Sequence, residues 1–161
     1  MIYENKNNET CKNNEHGKRI NLVSVKLVKE KSISYLPRVI SCPSDVASLF
    51  SKFIADSDRE QFMLCCLNTK NQPTDISIIS TGCLDSTVVH PREVFKVAIL
   101  SNSASIIIAH NHPSGDTEPS KEDKCITNRI NEVAKILGIR LIDHIIIGDC
   151  SYLSFKEHDI L

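Results

Sequence analysis

The sequence predicts one α/β domain in which helices cover a mixed β-sheet, and three observations support it. Segments of helical apolar spacing are interleaved with short β-branched runs, the pattern of helices packed on a sheet. Two neighbouring runs are separated only by residues of turn composition, so a hairpin belongs to the sheet. The 161 residues suffice for one hydrophobic core and not for a second, since domains commonly run to about 100–150 residues.

Residues 1–20 include five Asn and few apolar side chains. Such a segment cannot repay its ordering entropy and is expected to be a flexible polar tail, with the domain occupying 21–161. From Leu22 to Leu27 apolar and polar residues partly alternate, which suggests a first strand. Pro43, Ser44 and Asp45 then open a helix whose apolar residues Val46, Leu49, Phe50, Phe53 and Ile54 recur at i, i+3, i+4, i+7 and i+8. Gln61 to Leu67 is an apolar run of strand length, Asn68 to Pro73 has turn composition, and Asp75 to Ser80 reads as the returning strand. Pro91 occupies a helix-starting position, with apolar residues continuing to Leu100. Ser105 to His110 is too short and too β-branched for a helix. Helical spacing returns at Ile126, Ile130, Val133 and Leu137 within 120–137, and Gly138 suits a left-handed terminator. Ile139 to Ile147 reads as a buried strand, and Tyr152 to Phe155 as a last short one.

Composition narrows the function classes. At 41% hydrophobic and 24% charged, the chain has no apolar run approaching the roughly 18 residues that span a bilayer. The first residues also lack the apolar core of a signal peptide, so a cytoplasmic location without membrane attachment is expected. Seven cysteines without a C-x-x-C pair fit neither a disulfide framework nor a Cys-rich zinc site. A net charge of −1 supplies no general attraction to phosphate, so nucleic-acid binding is expected to be weak or absent.

The chemistry is concentrated between Ile106 and Asp123. In an extended chain residues two apart share a face, so His110 and His112 present two imidazoles together. Pro113 biases His112 away from the α region. Pro113, Ser114 and Gly115 turn the chain, and Ser120 caps the following helix. Asp123 is then the third helical residue, where the helix dipole favours an ionised carboxylate. Two neutral imidazoles and a carboxylate, with a fourth position left to water, match a catalytic zinc site, in which Zn2+ lowers the pKa of that water towards roughly 7. Singly, an H-x-H strand or a Ser-x-x-Asp cap is an ordinary structural feature. Their convergence with an enforced turn is what points to a metal. Asp116 is the alternative third ligand, but the turn orients it less than the helix orients Asp123. His90 and His144 lie outside the unit and are read as packing or hydrogen-bonding residues. The H-x-E and P-C-x-x-C pattern of zinc deaminases is absent, which excludes base deamination.

His110, His112, Pro113, Ser120 and Asp123 together resemble the H-x-H-P-x(6)-S-x-x-D core of the JAMM (MPN+) metalloprotease family. The run from His110 to Gly115, with Pro119 before Ser120, resembles the bacterial RadC branch in particular, and the stretches 90–95 and 143–148 support the likeness over about residues 20–156. The resemblance implies a curved mixed β-sheet flanked by helices, the JAB/MPN type, with the three-layer α-β-α arrangement also seen in cytidine deaminases. It further implies a zinc-dependent peptidase or isopeptidase acting on a protein or peptide substrate, with an upstream glutamate as general acid and base. In the family that glutamate heads a strand, the place matched by Glu60; Glu93 is the second candidate. A carboxylate entering an apolar strand is partly desolvated, which suits it to shuttle protons. The resemblance also suggests that the Ser120 hydroxyl donates to an oxyanion. Asn111 stands where the eukaryotic deubiquitinating branch has Ser or Thr, which speaks against a ubiquitin-like substrate. Two other functions belong to different classes: a DNA-repair or DNA-transaction accessory protein, as the RadC name carries, and a metal-bearing interaction domain without turnover. The polar segment 1–20 does not match the helix-hairpin-helix module of longer RadC proteins, so DNA binding ranks second.

Overall fold

The computed structural model describes residues 20–54, 57–82, 89–149 and 151–161. Along these residues run α1 (Pro43–Ile54), β1 (Gln61–Leu67), β2 (Pro73–Thr81), α2 (Pro91–Leu100), β3 (Ser105–Asn111), α3 (Lys121–Leu137), β4 (Arg140–Ile147) and β5 (Tyr152–Ser154). The expected tail lies outside the described residues except for Ile20, as do Cys11, Cys83 and Cys150.

The strands form one open sheet in the order β2-β1-β3-β4-β5. The β1–β2, β1–β3 and β4–β5 pairs are antiparallel, and β3–β4 is parallel. A parallel pair needs a crossover, and α3 provides it. The hairpin turn is built by Asn68, whose Oδ1 accepts from Lys70 N at 2.9 Å and Gln72 N at 3.1 Å, while Asn71 takes the left-handed conformation that Asn tolerates.

Helices cover both faces, which explains why β1 reads as a continuous apolar run rather than an alternating one. Met63, Cys65 and Leu67 share one face with Ile107, Ala109, Ile145 and Ile147, packed against Val46, Leu49, Phe50 and Ile54 of α1. Phe62, Leu64 and Cys66 share the other with Ile106 and Ile108, beneath Val94, Phe95 and Ala98 of α2 and Ile130 and Ala134 of α3. Each fully buried Val, Leu, Ile, Phe or Met side chain contributes about 2 kcal/mol. The three-layer α/β arrangement is therefore the observed one. Among the described residues, no helix is long and apolar enough to cross a membrane.

The strand expected over Leu22–Leu27 is not formed; the stretch has no regular structure, and Leu22, Val23, Val25 and Val28 are exposed. Alternation makes a strand only where a partner supplies hydrogen bonds and a face to cover, and neither β2 nor β5, the two edges, pairs with this segment. Further along, the chain is tied to the body of the domain by Tyr35 Oη, which donates to Pro73 O at 3.1 Å, and by Ile40 N, which donates to Asn71 O at 3.0 Å.

Candidate metal centre

The site forms where the C-terminal end of β3 meets the N-terminus of α3. His110 shares its sheet face with Ile106 and Ile108, so it points towards the α2–α3 layer and is buried. His112 stays in line because its N–H donates to Ile147 O at 3.0 Å, prolonging the pairing with β4. The chain then turns, with Gly115 N donating to His112 O at 2.9 Å. Ser120 caps α3 in an extended conformation. Its Oγ accepts from Asp123 N at 3.0 Å, and Asp123 Oδ2 accepts from Ser120 N at 2.9 Å and from Ser120 Oγ at 2.6 Å. This reciprocal capping box fixes the carboxylate as well as the helix end.

The consequence is convergence. His110 Nε2 lies 2.9 Å from His112 Nε2 and 3.2 Å from Asp123 Oδ1, while His112 Nε2 lies 3.5 Å from Asp123 Oδ2. One ligand atom from each of the three residues falls within 4.8 Å of the others.

Hydrogen bonding behind the rings determines which nitrogens carry protons. The Thr127 hydroxyl donates its one hydrogen to Asp123 O at 2.6 Å, so at 2.6 Å from His144 Nδ1 it accepts. With Nδ1 protonated in a neutral ring, His144 Nε2 accepts from His110 Nδ1 at 2.8 Å. His112 Nδ1 donates to the carbonyl of Asp116 at 2.6 Å. In neutral rings both Nε2 atoms therefore carry lone pairs, and both face a carboxylate. Acceptors this close to one another require a cation or a shared proton between them, and the donor set suits a divalent metal.

Electrostatics agree with this picture. Where protons rather than an ion lie between the rings and the carboxylate, burial pushes Asp123 upward, but hydrogen bonds from the protonated Nε2 atoms of His110 and His112 and from Ser120 outweigh it and hold the carboxyl well below the usual carboxylate range. His112 is raised, chiefly by Asp123 and against the effect of burial. His144 is pushed well below the ordinary histidine value, first by burial and then by His110, so it serves as a neutral relay. Phe62 stacks on the His110 ring and Phe155 lies against His144, closing the inner side with apolar walls.

Glu60 is half-buried immediately before β1. Continuing the Phe62–His110 register by two residues brings it opposite His112, and its charge acts to raise His112. Glu93 is instead engaged by Lys96 and Arg92 on α2. The Asp116 carboxylate accepts from Glu118 N at 3.0 Å in an exposed turn and takes no part in the cluster; its carbonyl is what serves the site. His90 caps α2, its Nδ1 accepting from Arg92 N at 3.2 Å. The reading of His144 as a hydrogen-bonding residue holds, but sequence reasoning did not connect it, or Thr127, with the orientation of His110. A signal was present: Thr127 lies four residues after Asp123 on one helix face, and His144, next to Asp143, interrupts the apolar residues of β4.

A strand end carrying two lone-pair imidazoles and a capped carboxylate on the next helix, within three α-β-α layers, forms a group that could hold a metal ion in a domain of the JAB type. The model of the RadC-like JAB domain matches residues 40–160, and the chain belongs to that family. It is similar to a UPF0758 protein of Rubrobacter xylanophilus, 47% identical over 142 residues that cover 87% of this chain and 62% of the relative. It is also similar to UPF0758 proteins of Desulforamulus reducens, 50% identical over 76% of this chain and 54% of the relative, and of Methanosarcina mazei, 48% identical over 74% and 52%. The chain thus spans little more than half the length of these relatives.

Proposed function

We propose that this domain is a zinc-dependent amide hydrolase, a metallopeptidase or isopeptidase acting on a protein or peptide. The observation that supports it is the meeting of His110 Nε2, His112 Nε2 and the Asp123 carboxylate across from the half-buried Glu60. Two imidazoles and a carboxylate are the protein ligands of many catalytic zinc sites, and the cluster contains no thiolate that would favour a softer ion. When bound, zinc supplies a Lewis acid for the scissile carbonyl and lowers the pKa of a ligated water towards about 7.

The remaining work falls to the chain's own residues. Glu60 takes the proton released by the attacking water and delivers it to the leaving nitrogen, a task suited to a carboxylate half-shielded from solvent. Thr127 and His144 keep the His110 proton on Nδ1, and the Asp116 carbonyl does the same for His112. Ser120 donates its single hydroxyl hydrogen to Asp123, so its first task is to hold the ligand. To serve an oxyanion, the hydroxyl must turn its hydrogen bond from Asp123 to the substrate oxygen. A cytoplasmic setting suits the free thiols of Cys42, Cys65, Cys66 and Cys125.

Elemental analysis and cleavage of a fluorogenic peptide-amide library test the reading. One zinc per chain is expected, with Glu60→Gln retaining the ion and losing turnover. Retention of stoichiometric zinc by His110→Ala or Asp123→Ala under mild chelation would overturn the ligand set. A Glu60→Gln variant as active as the parent would overturn the base.

A further inference from the structure

Asn111 stands between two of the candidate ligands, yet its side chain serves a different strand. Buried at the end of β3, it accepts through Oδ1 from Gln61 N at 2.8 Å and donates through Nδ2 to Arg59 O at 3.0 Å. Those two partners are the residues on either side of Glu60. The backbone ladder between β1 and β3 ends at Phe62–His110, so the Asn111 amide takes the next rung as a peptide group would. In an extended strand the carbonyl of one residue and the N–H two residues later lie on the same edge. A planar amide offering one acceptor and one donor matches that edge, whereas a carboxylate lacks the donor and a serine hydroxyl lacks the reach. On the other side, Gly82 N donates to Glu60 O at 2.8 Å. The backbone at Glu60 is thus held before, at and after the residue, twice by one side chain.

We propose that Asn111 is a positioning residue: its amide clamps the backbone on both sides of Glu60 and so sets that carboxylate against the metal centre. The role of Glu60 as base rests on the hydrolase reading above, whereas the clamp rests on geometry alone. Three residues of β3 and its extension then unite two functions, with His110 and His112 in the candidate metal centre and Asn111 facing the strand that carries the base. A 1 Å displacement of a base is costly to rate although it need not disturb substrate affinity.

The experiment uses the full chain loaded with Co2+, in which nuclei near the ion show hyperfine-shifted resonances. In the parent, the Glu60 side-chain carbons are expected to show one hyperfine-shifted set and the Gln61 amide slow exchange. Asn111→Ala should accelerate Gln61 exchange by about tenfold and collapse the Glu60 shifts. The shifted ring N–H signals of His110 and His112, and the stoichiometry of one ion per chain, should stay unchanged. Asn111→Asp keeps the acceptor for Gln61 N and loses the donor to Arg59 O. It should protect the Gln61 amide and restore the Glu60 shifts only in part, and it serves as the informative variant if the alanine protein does not fold. With fluorogenic peptide amides, zinc-loaded Asn111→Ala should lose kcat by roughly 100-fold with KM within twofold. Unaltered Gln61 exchange and Glu60 shifts in both variants would overturn the clamp. Loss of the ion in both variants would instead make Asn111 a support of the ligand strand and overturn the proposal in that way. Should the library show no difference between parent and Glu60→Gln, the hydrolase reading fails, and the resonances still decide the clamp.

Discussion

At the scale of single residues, the centre depends on which nitrogen of each histidine holds a proton, and Thr127 controls that for His110 through His144. Thr127→Val keeps the shape and removes the hydroxyl, leaving His144 free to reverse its tautomer. Zinc affinity should then fall by about 10–100-fold with one site per chain at saturation, measured by chelator competition; unchanged affinity would show that the relay is not needed. Ser120 joins two roles that substitution can separate. Ser120→Ala should cost about 1 kcal/mol of stability through the lost cap, and it also removes a hydrogen bond to Asp123. Ser120→Asn restores a good cap without a hydroxyl. If thermal stability recovers in the Asn variant while turnover stays low, the hydroxyl has a role in the reaction beyond capping. If turnover recovers with stability, the hydroxyl is a cap alone.

At the scale of elements, the turn between His112 and α3 is seated on the end of β4. A Cβ on Gly148 would collide with the Gly115 carbonyl oxygen and lie 2.9 Å from Thr117 Cγ2. Gly148→Ala should push this turn outward, lower stability by about 1–3 kcal/mol and weaken metal binding through His112, although it alters no ligand. Denaturant titration with and without zinc would reveal both effects. The same strand carries a latch that the sequence hid within an apolar run. Asp143 is buried, its Oδ1 accepting from His144 N at 2.8 Å and Lys156 N at 3.0 Å, and its Oδ2 from Ser154 Oγ at 2.6 Å. Burial pushes its pKa upward against these hydrogen bonds. Asp143→Ala leaves several buried donors without a partner, and a loss of about 3 kcal/mol is expected, read as a drop in the urea midpoint.

At the scale of the whole molecule, the candidate ligands come from two separate elements, β3 with its extension and α3, and folding is what brings them together. Zinc should therefore stabilise the domain, by about 4 kcal/mol when the free ion exceeds the dissociation constant a thousandfold, and chelation should reverse the rise in melting temperature. A melting temperature indifferent to zinc would argue against a native metal site. The net charge of −1 predicts weak binding to duplex DNA at physiological salt. Submicromolar affinity in a fluorescence titration would favour the DNA-accessory function instead.

The features that local chemistry controls were legible in the sequence. Apolar spacing located the three helices and five strands of the described residues; Pro91, Ser120 and Gly138 marked helix ends; and spacing, turn and cap brought His110, His112 and Asp123 into view as one set. What only the tertiary structure decided depends on strand order, which no linear pattern encodes. Leu22–Leu27 alternates like a strand but pairs with neither edge of the sheet. His144 reaches His110 because β4 lies parallel beside β3, and Asn111 reaches across Glu60 because β1 lies on the other side of β3. Asp116 resembles a ligand in sequence, but the turn directs its carbonyl to His112 and its carboxylate to Glu118 N. Residues close in sequence revealed themselves by their spacing, while hydrogen bonds between residues 17 to 52 positions apart exist only once the sheet has set its neighbours.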